Sequence, residues 1–118
     1  MAALGALVLC VSAGPATAQD RSPASRQTLV DLANVLGQSH AIRQACTHGK
    51  DFSWFHKMER LLQVEAAEES LKGRLVTSFN TGYAAGQAGF PTCSKATRAA
   101  EARLAQRGQS LAGQLGQP

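Results

Sequence analysis

Two cysteines, Cys46 and Cys93, bound the stretch that most constrains how this chain can fold. Cys46 opens the turn-like run Cys-Thr-His-Gly-Lys-Asp, and Cys93 closes the turn-like run Gly-Phe-Pro-Thr-Cys. Two segments with helical periodicity lie between the cysteines and two more lie outside them. We therefore predict a disulfide that joins the end of a first helix to the start of a last one. In the chain-entropy model, a link closing so long a loop contributes about 4 kcal/mol.

The first residues have the pattern of a secretory signal peptide. An apolar run covers residues 4–11, an Ala-Thr-Ala cleavage site ends at Ala18, and charge begins only at Asp20. The run is shorter than the about 20 residues that a membrane span requires. No basic residue precedes it. We predict cleavage after Ala18 and a periplasmic location. The alternative is an N-terminal helix of the folded domain, which the glycines and proline of this segment disfavour.

Cleavage there would remove the third cysteine, Cys10. A lipoprotein signal using Cys10 is disfavoured, because Leu9 is bulkier than the residue that normally precedes a lipidated cysteine. An even number of cysteines would remain, and two cysteines in an exported domain usually pair.

The chain has 118 residues and a formal net charge of +4, which suits a single basic domain. Charge is uneven: residues 19–93 carry a net charge of +1, whereas residues 94–118 carry +3. Arg98, Arg103 and Arg107 could therefore bind an anionic envelope surface. The plainer interpretation is a solvated basic helix face. Nucleic acid is not an expected partner, since the aromatic residues are too few for base stacking.

Periodicity predicts an all-α fold, a small bundle of four helices linked by Cys46–Cys93 and preceded by the signal peptide. We expect a flexible lead-in over residues 19–25, a helical domain over 26–115 and a frayed tail over 116–118. The first helix should cover about 26–45, with Gly49 ending it. A joint at 65–69 separates the second and third helices, and Pro91 stops the third. The fourth should start near Thr92 or Ser94 and run to Leu115.

Glycines and the single tryptophan add expectations about packing. Gly37 in the first helix could permit a close helix contact, and Gly82, Gly86 and Gly89 give the third helix a smooth face for another helix or a ligand. Trp54 should lie in the core of the bundle. The fourth helix is alanine-rich and should pack shallowly.

The histidines suggest a structural role more than a chemical one. His40 lies beside the apolar stripe of the first helix and is interpreted as a partly buried polar residue. His48 could form a metal or redox site with Cys46 and Cys93, but a structural zinc site usually has four ligands and no fourth is evident. His56 should be exposed. We predict neither a metal nor another cofactor.

No catalytic residue is predicted, and a non-enzymatic role is favoured. The alternative is an envelope enzyme that cleaves peptidoglycan through Glu65 or Glu68. Glycan cleavage usually needs two carboxylates on either side of a cleft, which a small closed bundle rarely provides.

One polar cluster interrupts the third helix and could form a recognition surface. It contains Asn80, Tyr83 and Gln87, with Tyr83 flanked by glycines at 82 and 86. The structural alternative is a helix–helix contact in which Tyr83 is buried and its hydroxyl is hydrogen-bonded.

A combination of residues extends over nearly the whole predicted domain: Leu32-Ala33, Leu36-Gly37, His40-Ala41-Ile42-Arg43, Cys46, Asp51, Trp54, Met58, Leu61-Leu62, Glu65-Ala66, Phe79-Asn80, Gly82-Tyr83, Phe90-Pro91 and Cys93. This combination resembles a family of small exported alphaproteobacterial proteins of unknown function that have a signal peptide and two characteristic cysteines. The resemblance implies no activity and supplies no catalytic residue. The sequence thus predicts a periplasmic helical module that binds an envelope protein or an anionic envelope surface, with no transmembrane segment in the mature chain.

Overall fold

The computed structural model of the chain describes residues 18–116. A 3-10 turn at Ala18–Asp20 precedes four α-helices. Their bounds are as follows: α1 covers Pro23–Thr47, α2 covers Ser53–Glu65, α3 covers Glu69–Gly89 and α4 covers Lys95–Leu115. No strand occurs in this part of the chain, so the predicted all-α fold with four helices is confirmed. The predicted signal peptide, apart from Ala18, lies outside the described residues, as do the last two residues of the predicted tail.

Local signals explain where the helices begin and end. α1 starts at Pro23, earlier than predicted, because the Ser22 hydroxyl caps it by accepting the Ser25 amide and proline suits the first helical position. α1 is followed by two left-handed residues, His48 (φ 53°) and Gly49 (φ 76°). Ser94 caps α4 in the same way as Ser22 caps α1, which confirms the predicted start of the fourth helix.

α1 is the central helix of the bundle. It packs most extensively against α3, then against α4 and then against α2, whereas the other helices meet one another much less. A helix surrounded on several sides must be apolar around most of its circumference. Accordingly, ten residues between Leu29 and Ile42 are buried, with no single apolar stripe. The main apolar cluster joins five of these α1 residues to side chains of the other three helices. Its members from α1 to α4 are Leu29, Leu32, Ala33, Val35, Leu36, Met58, Leu71, Leu75, Phe79 and Leu111.

The contact between α1 and α3 is a close backbone crossing. A Cβ atom added at Gly37 would lie 2.0 Å from the carbonyl oxygen of Phe79, and one at Gly82 would lie 2.2 Å from that of Asn34. At Gly86 the added atom would lie 2.7 Å from the Cβ of Ala41. The prediction of a close helix contact is confirmed at Gly37, Gly82 and Gly86, because only hydrogen side chains fit there. It is wrong for Gly89, where an added Cβ atom would have nothing within 4 Å.

The predicted disulfide is confirmed. Cys46 in the last turn of α1 is bonded to Cys93 just before α4, with an S–S distance of 2.02 Å and a Cα–Cα distance of 4.8 Å. Beside it, Arg43 forms ion pairs with Asp51 and Glu101, both at 3.3 Å. Covalent and ionic links therefore hold this end of α1 to the start of α2 and to α4.

Ion pairs hold the other end of the bundle. The Arg21 guanidinium donates to both carboxylate oxygens of Glu65 (2.8 and 2.9 Å) and to the carbonyl oxygen of Leu115 (3.0 Å). Arg26 pairs with Glu68 in the joint between α2 and α3. Arg21 belongs to the segment predicted as a lead-in, and here it contacts the C-terminal ends of α2 and α4.

Candidate functional site

An apolar groove runs between α2 and α4, with α1 as its floor. Its volume is about 440 Å³, within the range of roughly 300–1,000 Å³ typical of small-molecule sites. α2 contributes one wall, which ends at the exposed side chain of Val64 (57% exposed). The lining residues are Leu32, Val35, Leu36, Trp54, Lys57, Arg60, Leu61, Val64, Leu104, Ala105, Gly108, Gln109 and Ala112.

Small residues on α4 explain why the groove is open. Ala105, Gly108 and Ala112 follow one another at three- and four-residue spacing and therefore share the face of α4 that looks onto the groove. A Cβ atom at Gly108 would lie 3.5 Å from Val35, an ordinary contact distance. These side chains are too short to reach α2, and the space between the two helices stays unfilled. The open groove is thus a consequence of the shallow packing predicted for the alanine-rich fourth helix.

Trp54 contributes to the wall of the groove. Sequence periodicity placed it in the core, and it does pack against the apolar cluster, but only as a partly buried residue. Its ring also lies beneath the ammonium group of Lys57, with Nζ 5.6 Å from the ring centroid. The core prediction was incomplete, because the helix that would have covered the remaining face of the indole carries alanine and glycine instead.

Positive charge lines one rim of the groove. Lys57 and Arg60 are exposed and lie one turn apart on α2. Arg60 forms no ion pair with any residue in the range 18–116, and the neighbouring carboxylate of Glu59 hydrogen-bonds His56 instead (3.0 Å). An apolar floor with two cations at its edge can take a ligand that combines an apolar body with a negative group.

The recognition cluster predicted on the third helix lies elsewhere. Asn80 and Gln87 are exposed on α3, whereas Tyr83 is partly buried, with its ring centroid 5.3 Å from that of His40. Gln87 and Phe90 line a separate recess of about 300 Å³, and none of the three predicted residues lines the groove.

The basic residues predicted on the fourth helix are all exposed, and the structure brings two of them together. Arg103 and Arg107 line a recess of about 210 Å³ with Gln38 of α1 and Phe90 of the α3–α4 connection. Arg98 is not among the residues that line this recess.

His40 is buried, and its partners are aromatic. It is 7% exposed, and the ring centroids of Phe52, Phe55, Phe79 and Tyr83 all lie within 6.0 Å of its own. Burial lowers the pKa of His40 from its ordinary value, against a smaller opposing influence from Asp51. Its Nδ1 atom has no hydrogen-bond partner in the described part of the chain.

The residues considered for metal and carboxylate chemistry are engaged in other contacts. Both sulfur atoms beside His48 belong to the disulfide, and no group of three or more His, Cys, Asp or Glu residues within 18–116 is arranged to hold a metal ion. Glu65 is 4% exposed and paired with Arg21. Glu68 is paired with Arg26, whose hydrogen bond lowers the pKa of that carboxyl group.

Sequence reasoning did not single out the groove, although two signals for it exist. One is the pair of basic residues at 57 and 60 close to the single tryptophan, and the other is the stripe of small residues at 105, 108 and 112. Each signal is weak alone, because exposed basic residues and alanine-rich helices are common. The two signals indicate a common site only in the tertiary structure, where α2 and α4 both lie on α1 and face each other.

These features define a class: a small all-α domain with one disulfide and an apolar, cation-rimmed groove. The chain belongs to a family described as protein of unknown function (DUF2385), whose model matches residues 25–117. Neither the comparison with curated proteins nor that with solved structures gives a match. Within residues 18–116, no helix has both the length and the apolar character needed to cross a bilayer.

Proposed function

We propose that this protein is a non-catalytic binding module of the periplasm that holds an apolar ligand in the groove between α2 and α4. The observation that carries the proposal is the groove itself. It exposes apolar side chains from three helices, and burying such surface is the main favourable contribution to binding. An apolar concave surface with few polar groups is the usual form of a ligand site.

The periplasmic location rests on two features of the chain. The residues up to Ala18 have the pattern of a cleavable secretory signal. The Cys46–Cys93 disulfide suits an oxidising compartment such as the bacterial periplasm. Cell fractionation followed by intact-mass measurement tests this part: periplasmic protein with a mass that begins at Gln19 supports it, and cytoplasmic protein with a mass that begins at Met1 contradicts it.

Trp54 makes the binding proposal directly testable, because it is the single tryptophan and lines the groove. The purified protein is titrated with decan-1-ol and with decanoate, both below the concentrations at which they aggregate, while Trp54 fluorescence is recorded. We expect saturable changes for a decyl chain, since burying its methylene groups excludes water from the indole ring.

A matched pair of variants on α4 locates the binding. Ala105→Leu extends a side chain into the groove and should weaken binding about fifteenfold, because it displaces about two methylene groups of ligand at about 0.8 kcal/mol each. Ala102→Leu makes the same change at an exposed position outside the groove and should leave binding unchanged. Failure of both decyl compounds to bind, or equal effects of the two variants, would overturn the proposal.

A further inference from the structure

Size restricts what the groove can hold. One turn of an α-helix, about 10–12 Å across and 5.4 Å high, occupies on the order of 400–600 Å³. The groove has a volume of about 440 Å³, comparable to that of a single helical turn. Its α4 lining extends from Leu104 to Ala112, a rise of about 12 Å at 1.5 Å per residue. A narrow, elongated apolar ligand fits this length.

Charge restricts the ligand further. Both charged residues that line the groove, Lys57 and Arg60, are basic, and both are on the α2 rim. The ammonium group of Lys57 lies over the ring of Trp54. Arg60 carries the one guanidinium group among the lining residues. A guanidinium group binds a planar carboxylate through two parallel hydrogen bonds.

We propose that the ligand of the groove is a fatty-acid anion: a single alkyl chain lies on the apolar floor and its carboxylate is bound by Arg60, with Lys57 adding positive charge. This inference rests on the proposed function, because it specifies the ligand of the same groove. The neutral Gln109 on the opposite rim adds no negative charge that would repel the carboxylate.

The test compares three decyl compounds that share one chain and differ in headgroup: decanoate, decan-1-ol and decyltrimethylammonium. Each is titrated below its aggregation threshold, and Kd is obtained from Trp54 fluorescence. Decanoate should bind at least about tenfold more tightly than decan-1-ol, the usual gain from a charge-assisted hydrogen bond, and the cationic compound should bind most weakly. Octanoate, two methylene groups shorter, should bind about fifteenfold more weakly than decanoate.

Arg60→Gln should remove most of the preference for decanoate over decan-1-ol, and the part that remains is the contribution of Lys57. The matched control is Arg98→Gln, which removes an exposed arginine on α4 that does not line the groove, and which should keep the preference. Circular dichroism of both variants checks that the helices are retained.

The outcomes separate this inference from the proposed function. Equal affinities for decanoate and decan-1-ol, unaffected by Arg60→Gln, would overturn the fatty-acid assignment and leave the apolar groove supported. Decyl phosphate binding more than tenfold tighter than decanoate would replace the carboxylate with a phosphate headgroup and also overturn it. If no decyl compound binds, both proposals are wrong. If Ala105→Leu converts a dimer to a monomer, the occupant is a second copy of the chain, and the inference is wrong.

Discussion

At the scale of single residues, Glu65 and His40 are two titratable side chains that the fold buries in different surroundings. Glu65 is almost fully buried, and Arg21 donates two hydrogen bonds to its carboxylate. An unpaired buried carboxylate would be costly, so the end of α2 must stay where Glu65 can reach Arg21. The orientation of α2 therefore depends on a residue that precedes α1. The sequence offers Glu65 as an alternative catalytic acid, and in the structure its carboxylate is paired with Arg21. His40 is the contrasting case, a titratable ring surrounded by aromatic rings.

His40 should make stability depend on pH below about 6.5. Its folded-state pKa is lowered by burial, whereas an unfolded histidine titrates near pH 6.5. Between these two values the unfolded chain binds more protons, so the free energy of unfolding should fall as pH drops below about 6.5 and level off below the folded-state pKa. The measurement is urea unfolding at a series of pH values.

The variant His40→Gln should lose this slope, because glutamine does not titrate. The control is His48→Asn at the exposed end of α1, where asparagine tolerates the left-handed backbone; it should keep the slope. The lowered pKa values of Asp51 and Glu68 act in a separate window, since their stabilisation is lost only as pH falls below about 4. An unchanged slope in His40→Gln would show that another group is responsible.

At the scale of the helices, the crossing of α1 and α3 depends on glycine. The two backbones are in contact, as the positions of Gly37 and Gly82 show. Glycine weakens an isolated helix by about 1 kcal/mol relative to alanine. The sequence carries this cost inside both helices because the close crossing requires it. Small residues have the opposite effect at the groove. Those of α4 are too short to reach α2, so the space between these two helices stays open.

A pair of substitutions in α3 separates helix propensity from packing. Gly82→Ala should lower the free energy of unfolding by about 1–3 kcal/mol, because its Cβ would meet the carbonyl of Asn34 at 2.2 Å and the helices would have to move apart. Gly73→Ala, where nothing lies within 4 Å, should raise it by about 0.5–1 kcal/mol. Chemical unfolding followed by circular dichroism measures both. Equal effects of the two changes would contradict the close crossing.

At the scale of the whole molecule, α1 connects the bundle and two sets of links hold its ends. The disulfide and the Arg43 ion pairs act at one end, and the Arg21 and Arg26 ion pairs act at the other. Between these ends α2 and α4 contact α1 but are not packed closely on one another. The open groove between them is therefore compatible with a stable fold, because its walls are fixed at both ends.

Reduction of the disulfide should lower the free energy of unfolding by about 2–4 kcal/mol, since it releases a loop constraint on the unfolded chain. Urea unfolding with and without a reductant measures the effect. The double variant Cys46→Ser, Cys93→Ser should be as unstable as the reduced protein and should not respond to the reductant. A double variant as stable as the oxidised protein would show that the disulfide contributes little.

Several parts of the fold could be predicted from the sequence because their causes are local. Helix periodicity, the serine cap at 94, the glycine at 49 and the proline at 91 act within a few residues of the chain. They were enough to predict four helices, most of their ends and the close helix contact at Gly37. The disulfide was also predictable, because few other pairings of the cysteines were open.

The candidate site was not predicted, and the residues proposed at Asn80 and Tyr83 lie outside it. The groove consists of residues from α1, α2 and α4 that are far apart in the chain. Its existence depends on the distance between two helices that both pack on a third, and that distance is set by long-range contacts that no local pattern specifies. By itself, then, the sequence determined the helices and their covalent link. Only the tertiary structure decided that α1 is central, that Arg21 pairs with Glu65, and that Trp54, Lys57 and Arg60 face a common groove.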